Sequence, residues 1–300
     1  MNIICKGNDT MTTNVPKKIA LLTDSCSDIS PADLAHYNIH VVPLRILCED
    51  GEYSDGVDIT SSDIYCRLEN GELPKTSLPT AGDINAVFDK IAAEGYDGVI
   101  AVILSGGLSG TYNLLRFMGQ ERRDLTVSVF DSLNGSMGQG LILLQLGEDI
   151  NAGMSWTELT EKRVPQLIKN TYAFFSVDTL EYLHKGGRIG YITSVAGTLL
   201  KIKPVITFAE DGKLSTAAKV RGSNNLEAKF EELITEKLGA HRQYNLAIAN
   251  GGAPEEAKTL RARITGALDS SSNIWEGEIG GTLSAHIGSG ILGAAITILD

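Results

Sequence analysis

One segment limits the folds open to this chain more than any other. Gly98-Val99-Ile100-Ala101-Val102-Ile103-Leu104 is apolar without interruption and runs straight into Ser105-Gly106-Gly107-Leu108-Ser109-Gly110-Thr111. A strand with one face in water alternates polar and apolar residues. One that is apolar at every position is buried on both faces, as in the interior of a parallel sheet. Parallel neighbours cannot be joined by tight turns, so helices must lie between them. The flanking sequence supplies both kinds of element. Lys18–Thr23, His40–Leu44 and Val127–Phe130 are further short apolar runs, and 61–70, 81–94, 110–120 and 136–150 carry helical patterns. The first half is therefore expected to be an α/β unit built on a parallel sheet.

The second half has a different rhythm. A helical stretch over 155–169 leads to the run Tyr172–Val177, a short helix is expected over 178–183, and a basic turn Lys185-Gly186-Gly187-Arg188 follows. Two β-runs, Pro204–Phe208 and Lys213–Val220, flank Asp211-Gly212, a dipeptide suited to a tight hairpin. Helices over 224–238 and 254–264 and strands over 245–249, 274–279 and 291–299 complete an α+β pattern. The expected organisation is a flexible tail at 1–16, an α/β domain at 17–165 and an α+β domain at 166–300.

Composition narrows the function classes. With 26 Lys and Arg against 37 Asp and Glu, the formal charge is −11. A nucleic-acid binder or a protein drawn to anionic lipid would carry a basic surface instead. Cys5, Cys26, Cys48 and Cys66 show neither paired C-x-x-C spacing nor a histidine pair, so no zinc site or disulfide framework is expected. No apolar stretch reaches the ~18–20 residues of a membrane span, and residues 1–18 lack the apolar core of a secretory signal. The expectation is a cytoplasmic protein.

Chemistry concentrates in the turns after the strands. The Ser105–Thr111 turn opens a helix, so its glycines and hydroxyls are suited to a phosphate or a carboxylate. It lacks the lysine of a P-loop and does not fit G-x-G-x-x-G. In Thr76-Ser77-Leu78-Pro79-Thr80, helix capping accounts for Thr80 but leaves Thr76 and Ser77 without a structural task. His286 lies in a glycine-dense stretch, Gly280–Gly290, and is the one histidine set among small residues. Lys185 and Arg188 form a compact basic turn in an acidic protein, a candidate for phosphate or partner docking. Asp24, Asp28, Asp131 and Asp178 end strands where magnesium could in principle sit, although capping is the commoner use.

Taken together these segments resemble the DegV family of bacterial fatty-acid-binding proteins. The resemblance rests on Thr23–Asp28, Pro74–Pro79, Leu104–Tyr112, Asp131-Ser132, Ser136–Gly140, Asp178–Leu183, Lys185–Ile189, Leu199–Pro204, Lys219–Arg221 and Ala285–Gly290, in the family's order from 18 to 298. It implies an α/β domain joined to an α+β domain with a long-chain fatty acid such as palmitate enclosed between them. By motif, Thr76 and Ser109 would bind the carboxylate, and Ser77, Ser105 and His286 would line or support that site. Arg188 with Lys185 would match the basic turn at which a fatty acid kinase subunit docks. In that scheme the carrier performs no chemistry and needs no cofactor; the partner makes an acyl phosphate from ATP for phospholipid synthesis. A monomer is expected, since one chain would enclose the ligand. Gly106 stands where the family often has a second serine, and Leu78 where it often has glutamine. The alternative reading is a serine hydrolase or esterase with Ser109 as nucleophile and His286 as base, although the turn is not a G-x-S-x-G elbow and no orienting acid is evident.

Overall fold

The computed structural model describes residues 15–192, 202–221, 225–268 and 272–300. The expected tail and Leu199-Leu200-Lys201 fall largely outside them; Pro16, assigned to that tail, is buried against Gly98. In the first half the elements are β1 (Ile19–Asp24), α1 (Pro31–His36), β2 (Ile39–Val42), β3 (Arg45–Cys48), β4 (Gly51–Ser54) and α2 (Ser61–Glu69). There follow β5 (Lys75–Ser77), α3 (Ala81–Ala93), β6 (Gly98–Ile103), α4 (Thr111–Glu121), β7 (Thr126–Asp131) and α5 (Met137–Asn151). The parallel sheet has the order β2-β1-β6-β7, so the uninterrupted apolar run β6 is an interior strand, and all six of its residues are buried.

A helical stretch, α6 (Trp156–Glu158) and α7 (Val164–Lys169) joined through a wide π turn at Leu159–Arg163, connects the halves. Then come β8 (Thr171–Ser176), α8 (Glu181–Lys185), β9 (Ile202–Phe208), β10 (Leu214–Arg221) and α9 (Leu226–Leu238). The last elements are β11 (Tyr244–Gly251), α10 (Pro254–Ala267), β12 (Asn273–Glu278), α11 (Gly281–Ile287) and β13 (Ile291–Ile298). Six strands form a mixed sheet in the order β10-β9-β8-β13-β11-β12, with only β11 and β12 parallel. Asp211-Gly212 turns the β9–β10 hairpin as expected, with Gly212 at φ +74°.

Helix α5 lies between the two large sheets, touching β1 and β6 on one side and β8, β11 and β13 on the other. Leu141, Ile142, Leu143, Leu144 and Leu146 are all fully buried, which explains a helix apolar all round rather than along one stripe. Each such side chain contributes ~2 kcal/mol of burial.

Helix α1 and strands β3 and β4 lie where the sequence reading expected no element, and two further segments differ from expectation. Thr76 and Ser77 belong not to a turn but to β5, which with β3 and β4 makes a small antiparallel sheet, Thr76 opposite Ile46. The glycine-dense stretch around His286 is the helix α11. Its first amides are fixed by buried acids: Asp28 Oδ1 accepts from Gly280 N at 2.9 Å and Asp55 Oδ1 from Gly281 N at 3.0 Å.

Candidate functional site

A cavity of about 280 Å³ lies where α5, α11, the small sheet and the six-stranded sheet meet. Thr76, Ser77, Ser109, Arg188 and His286 line one end of it; most of the rest is apolar, including Leu104, Leu108, Phe175, Phe208, Leu283 and Ile291.

The polar end is assembled from four separate segments. β5 carries Thr76 and Ser77. Thr76 Oγ1 lies 2.7 Å from His286 Nε2 on α11. Burial pushes the imidazole down to about 4, with the positive charge of Arg188 adding to the effect, so the ring is neutral near pH 7. Its Nδ1 is buried without a partner and packs over Gly186, where any side chain would collide with it. An unpaired buried N–H is costlier than an unpaired lone pair, so the tautomer with hydrogen on Nε2 is favoured. His286 then donates to Thr76, and the Thr76 hydroxyl proton is free to point into the cavity.

Ser109 comes from the turn before α4. Its Oγ accepts from Thr111 N at 3.2 Å and lies 2.8 Å from Thr111 Oγ1. If Thr111 donates in that pair, the Ser109 hydroxyl also faces the cavity as a donor, beside the first amides of an eleven-residue helix. The turn itself is gripped from both sides. Asp131 accepts from Gly106 N at 3.0 and 3.1 Å, and a Cβ at Gly106 would lie 2.6 Å from that carboxylate, so a second serine here would need Asp131 to move. Across the cleft, a Cβ at Gly107 would lie 2.6 Å from the Gly212 carbonyl carbon at the hairpin tip.

Ser105 and Lys185 are not in the cavity wall. Ser105 does not line the cavity: it is fully buried, donating to Gly212 O at 2.7 Å and accepting from Gly107 N at 3.1 Å, so it supports the turn from behind. Lys185 is exposed and pairs with Glu181 one helical turn away at 2.5 Å. Arg188 is in the cavity wall, donating to Gly186 O at 2.7 Å and Leu108 O at 3.3 Å, so its task is not confined to an outer surface.

Behind α11 the strand-end acids Asp24 and Asp28 are joined by Asp55, which the sequence reading did not single out. Asp24, Asp28 and Asp55 surround the buried Cys26; burial pushes Asp24 up to about 6 and Asp28 up to about 8, and raises Asp55. Asp24 also accepts from Leu104 N and Cys26 N, which ties β6 to the 3₁₀ turn at Ser25–Ser27. Among the described residues no group of three or more His, Cys, Asp or Glu side chains is placed to hold a metal ion, and no helix is long and apolar enough to cross a membrane.

The sequence model of the family described as "Uncharacterised protein, DegV family" matches residues 18–298. The chain belongs to the DegV family. A DegV domain-containing protein of Clostridium acetobutylicum is 38% identical over 280 residues, 93% of this chain and 99% of its own. Among solved structures, a fatty-acid-binding DegV family protein from Thermus thermophilus superposes with a TM-score of 0.87 at 29% identity, covering 94% of this chain and all of that one. A stearic-acid-binding protein from Eubacterium ventriosum gives 0.82 at 26% identity, covering 93% of this chain and 97% of its own. The DegV architecture thus accounts for both large sheets.

The serine hydrolase reading fails on this geometry. His286 Nε2 is engaged with Thr76 rather than Ser109, and Nδ1 has no carboxylate to orient it. A nucleophile, a base and an orienting acid are not assembled.

Proposed function

We propose that this chain is a cytoplasmic, monomeric carrier of a long-chain fatty acid such as palmitate or stearate, without catalytic activity or cofactor of its own. The carboxylate is held by the hydroxyls of Thr76 and Ser109 at the polar end of the cavity. Ser77 lines the same end, His286 fixes the Thr76 proton and Ser105 braces the turn behind Ser109. One observation carries the reading: the hydroxyl side chains of Thr76 and Ser109 and the N-terminus of α4 meet at a cavity whose remaining lining is mostly apolar, in a family with solved members described as binding fatty acids.

The energetics agree. A buried carboxylate without donors is costly, and these donors supply what it needs. About 14 methylenes at ~0.8 kcal/mol each give ~11 kcal/mol of gross burial, enough for tight binding after association costs. The tail supplies affinity and the polar end fixes orientation. We propose further that residues 17–165 and 166–300 act as two domains closing on the ligand. A fatty acid kinase subunit would then dock beside Arg188 and Lys185 and phosphorylate the presented carboxylate.

The test is direct. The purified protein is denatured and extracted with organic solvent, and the extract is analysed by mass spectrometry. About one fatty acid per chain is expected; a clean extract, together with no uptake of added palmitate, would overturn the proposal.

A further inference from the structure

The six-stranded sheet is unequal on its two faces, and the inequality coincides with the cavity. Toward α9 and α10 the three adjacent strands β8, β13 and β11 present Phe174, Leu292, Ile296, Leu246 and Ile248. Toward α5 and the cavity the same strands present Ile291 and Phe175 near α11, and otherwise the small residues Gly293, Ala249, Ala295, Ala247 and Ala173. Because side chains alternate along each strand, these fall into cross-strand rows. Ala249, Gly293 and Phe175 make one row; Ala247, Ala295 and Ala173 make the next; Asn245, Thr297 and Thr171 make the last.

The cavity lining reaches Ala173 and Ala295 and stops before the last row. That row is closed. Thr171 Oγ1 and Thr297 Oγ1 are 2.8 Å apart and buried, and Asn245 Nδ2 donates to Gln145 Oε1 of α5 at 2.7 Å. Above the alanine row the backbone of α5 comes down at Gly138, where a Cβ would lie 2.9 Å from the Ala173 Cβ. Strand β13 leaves α11, which bears His286, at Ile291 and reaches Ala295 four residues on, about 13 Å away at ~3.3 Å per residue. Along β13 the alanine row is therefore the part of the cavity lining farthest from α11.

We propose that Ala173 and Ala295, closed off by the hydrogen-bonded Thr171–Thr297 row, form the stop against which the ligand's terminal methyl rests, so that these two positions set acyl chain length. This rests on the fatty-acid reading above. The volume of either side chain decides how far an extended chain can enter before it meets the hydrogen-bonded Thr171–Thr297 pair. Gly138 holds the opposite wall too close for the tail to turn aside.

The wild-type protein, Ala295→Val, Ala173→Val and Ala295→Gly are each stripped of lipid. Each is then offered an equimolar series of even-numbered saturated fatty acids from laurate to arachidate, and the retained species are quantified by mass spectrometry. Both valine variants are expected to retain species shorter by about two carbons than wild type, since valine adds two methyl groups at the stop. Ala295→Gly is expected to shift the profile longer, and decides the matter if the valine variants do not fold. Unchanged profiles at full occupancy in the variants would overturn the proposal while leaving the carrier function intact. If wild type retains no fatty acid, the carrier reading fails and the stop fails with it.

Discussion

Replacing Asp28 by asparagine tests whether the buried acids behind α11 govern stability near neutral pH. Asp28 lies beside Asp24 and Asp55, and its Oδ1 accepts from Gly280 N. Burial lifts its carboxyl from 3.8 to about 8, so at neutral pH the native protein holds a proton that the unfolded chain releases. Stability from this group is complete below pH 3.8 and is lost as pH rises through about 8. The full gap corresponds to a ceiling of about 6 kcal/mol, and coupling among the three acids spreads it over a broader range. His286 works in the opposite direction but only between about 4 and 6.5, where the native ring stays neutral while the unfolded one protonates. From about pH 6.5 to about pH 8 the Asp28 contribution is therefore exposed, and wild-type stability should fall by about 1.4 kcal/mol per pH unit. Asp28→Asn keeps an acceptor for Gly280 N and carries no titrating group, so its profile over that window should be nearly flat and its stability above wild type at about pH 8. Urea unfolding at a series of pH values reads both curves. A flat wild-type profile, or equal slopes in the two proteins, would refute the reasoning.

Three further outcomes are expected at the cavity. Thr76→Ala and Ser109→Ala should each weaken fatty-acid binding by about 1–3 kcal/mol for the lost donor, measured by calorimetry; unchanged affinity in both would mean the carboxylate lies elsewhere. Fatty-acid affinity should show no step between about pH 6 and about pH 8, because His286 is already neutral with its ring at about 4; a step near 6.5 would mean the ring is solvated. Arg188→Ala removes a cation from the cavity wall, so lipid affinity should fall several-fold and acyl-phosphate yield with a kinase subunit should fall further. Full retention of both would remove Arg188 from the site.

How much of this was legible beforehand follows from how each element is held. β6 was legible because burial on both faces leaves its mark on every residue. The Asp211-Gly212 turn was legible because a tight hairpin needs the backbone freedom that Gly212 uses. β5 was not: Lys75-Thr76-Ser77 is polar throughout and becomes a strand only by pairing with Arg45–Leu47. Nor was α11, whose glycine-rich start is stabilised by carboxylates 252 and 226 positions away in sequence. Ser105 shows a different limit. Its neighbours mark it as part of a binding turn, and only the hairpin tip standing behind it shows that its hydroxyl is already used. The small side chains of β13 identify a strand, but which face they present is set by register against β8 and β11.

The distribution of the site across the chain also explains why no single motif carries it. Thr76 and His286 are 210 positions apart, and Arg188 reaches a carbonyl 80 positions away. In the proposed site the head-group donors come from the small sheet and the turn after β6, with α11 orienting one of them, whereas the tail's walls would come from α5 and the six-stranded sheet. Neither group is sufficient alone. The donors without the channel would hold a carboxylate that water solvates equally well, and the channel without the donors would leave a charge buried and unpaired. Affinity therefore depends on the two sheets being held at one spacing. The contacts that hold them there, α5 packed between the sheets and Ser105 bonded to the hairpin tip, are as much a part of the proposed binding site as the residues that would touch the ligand.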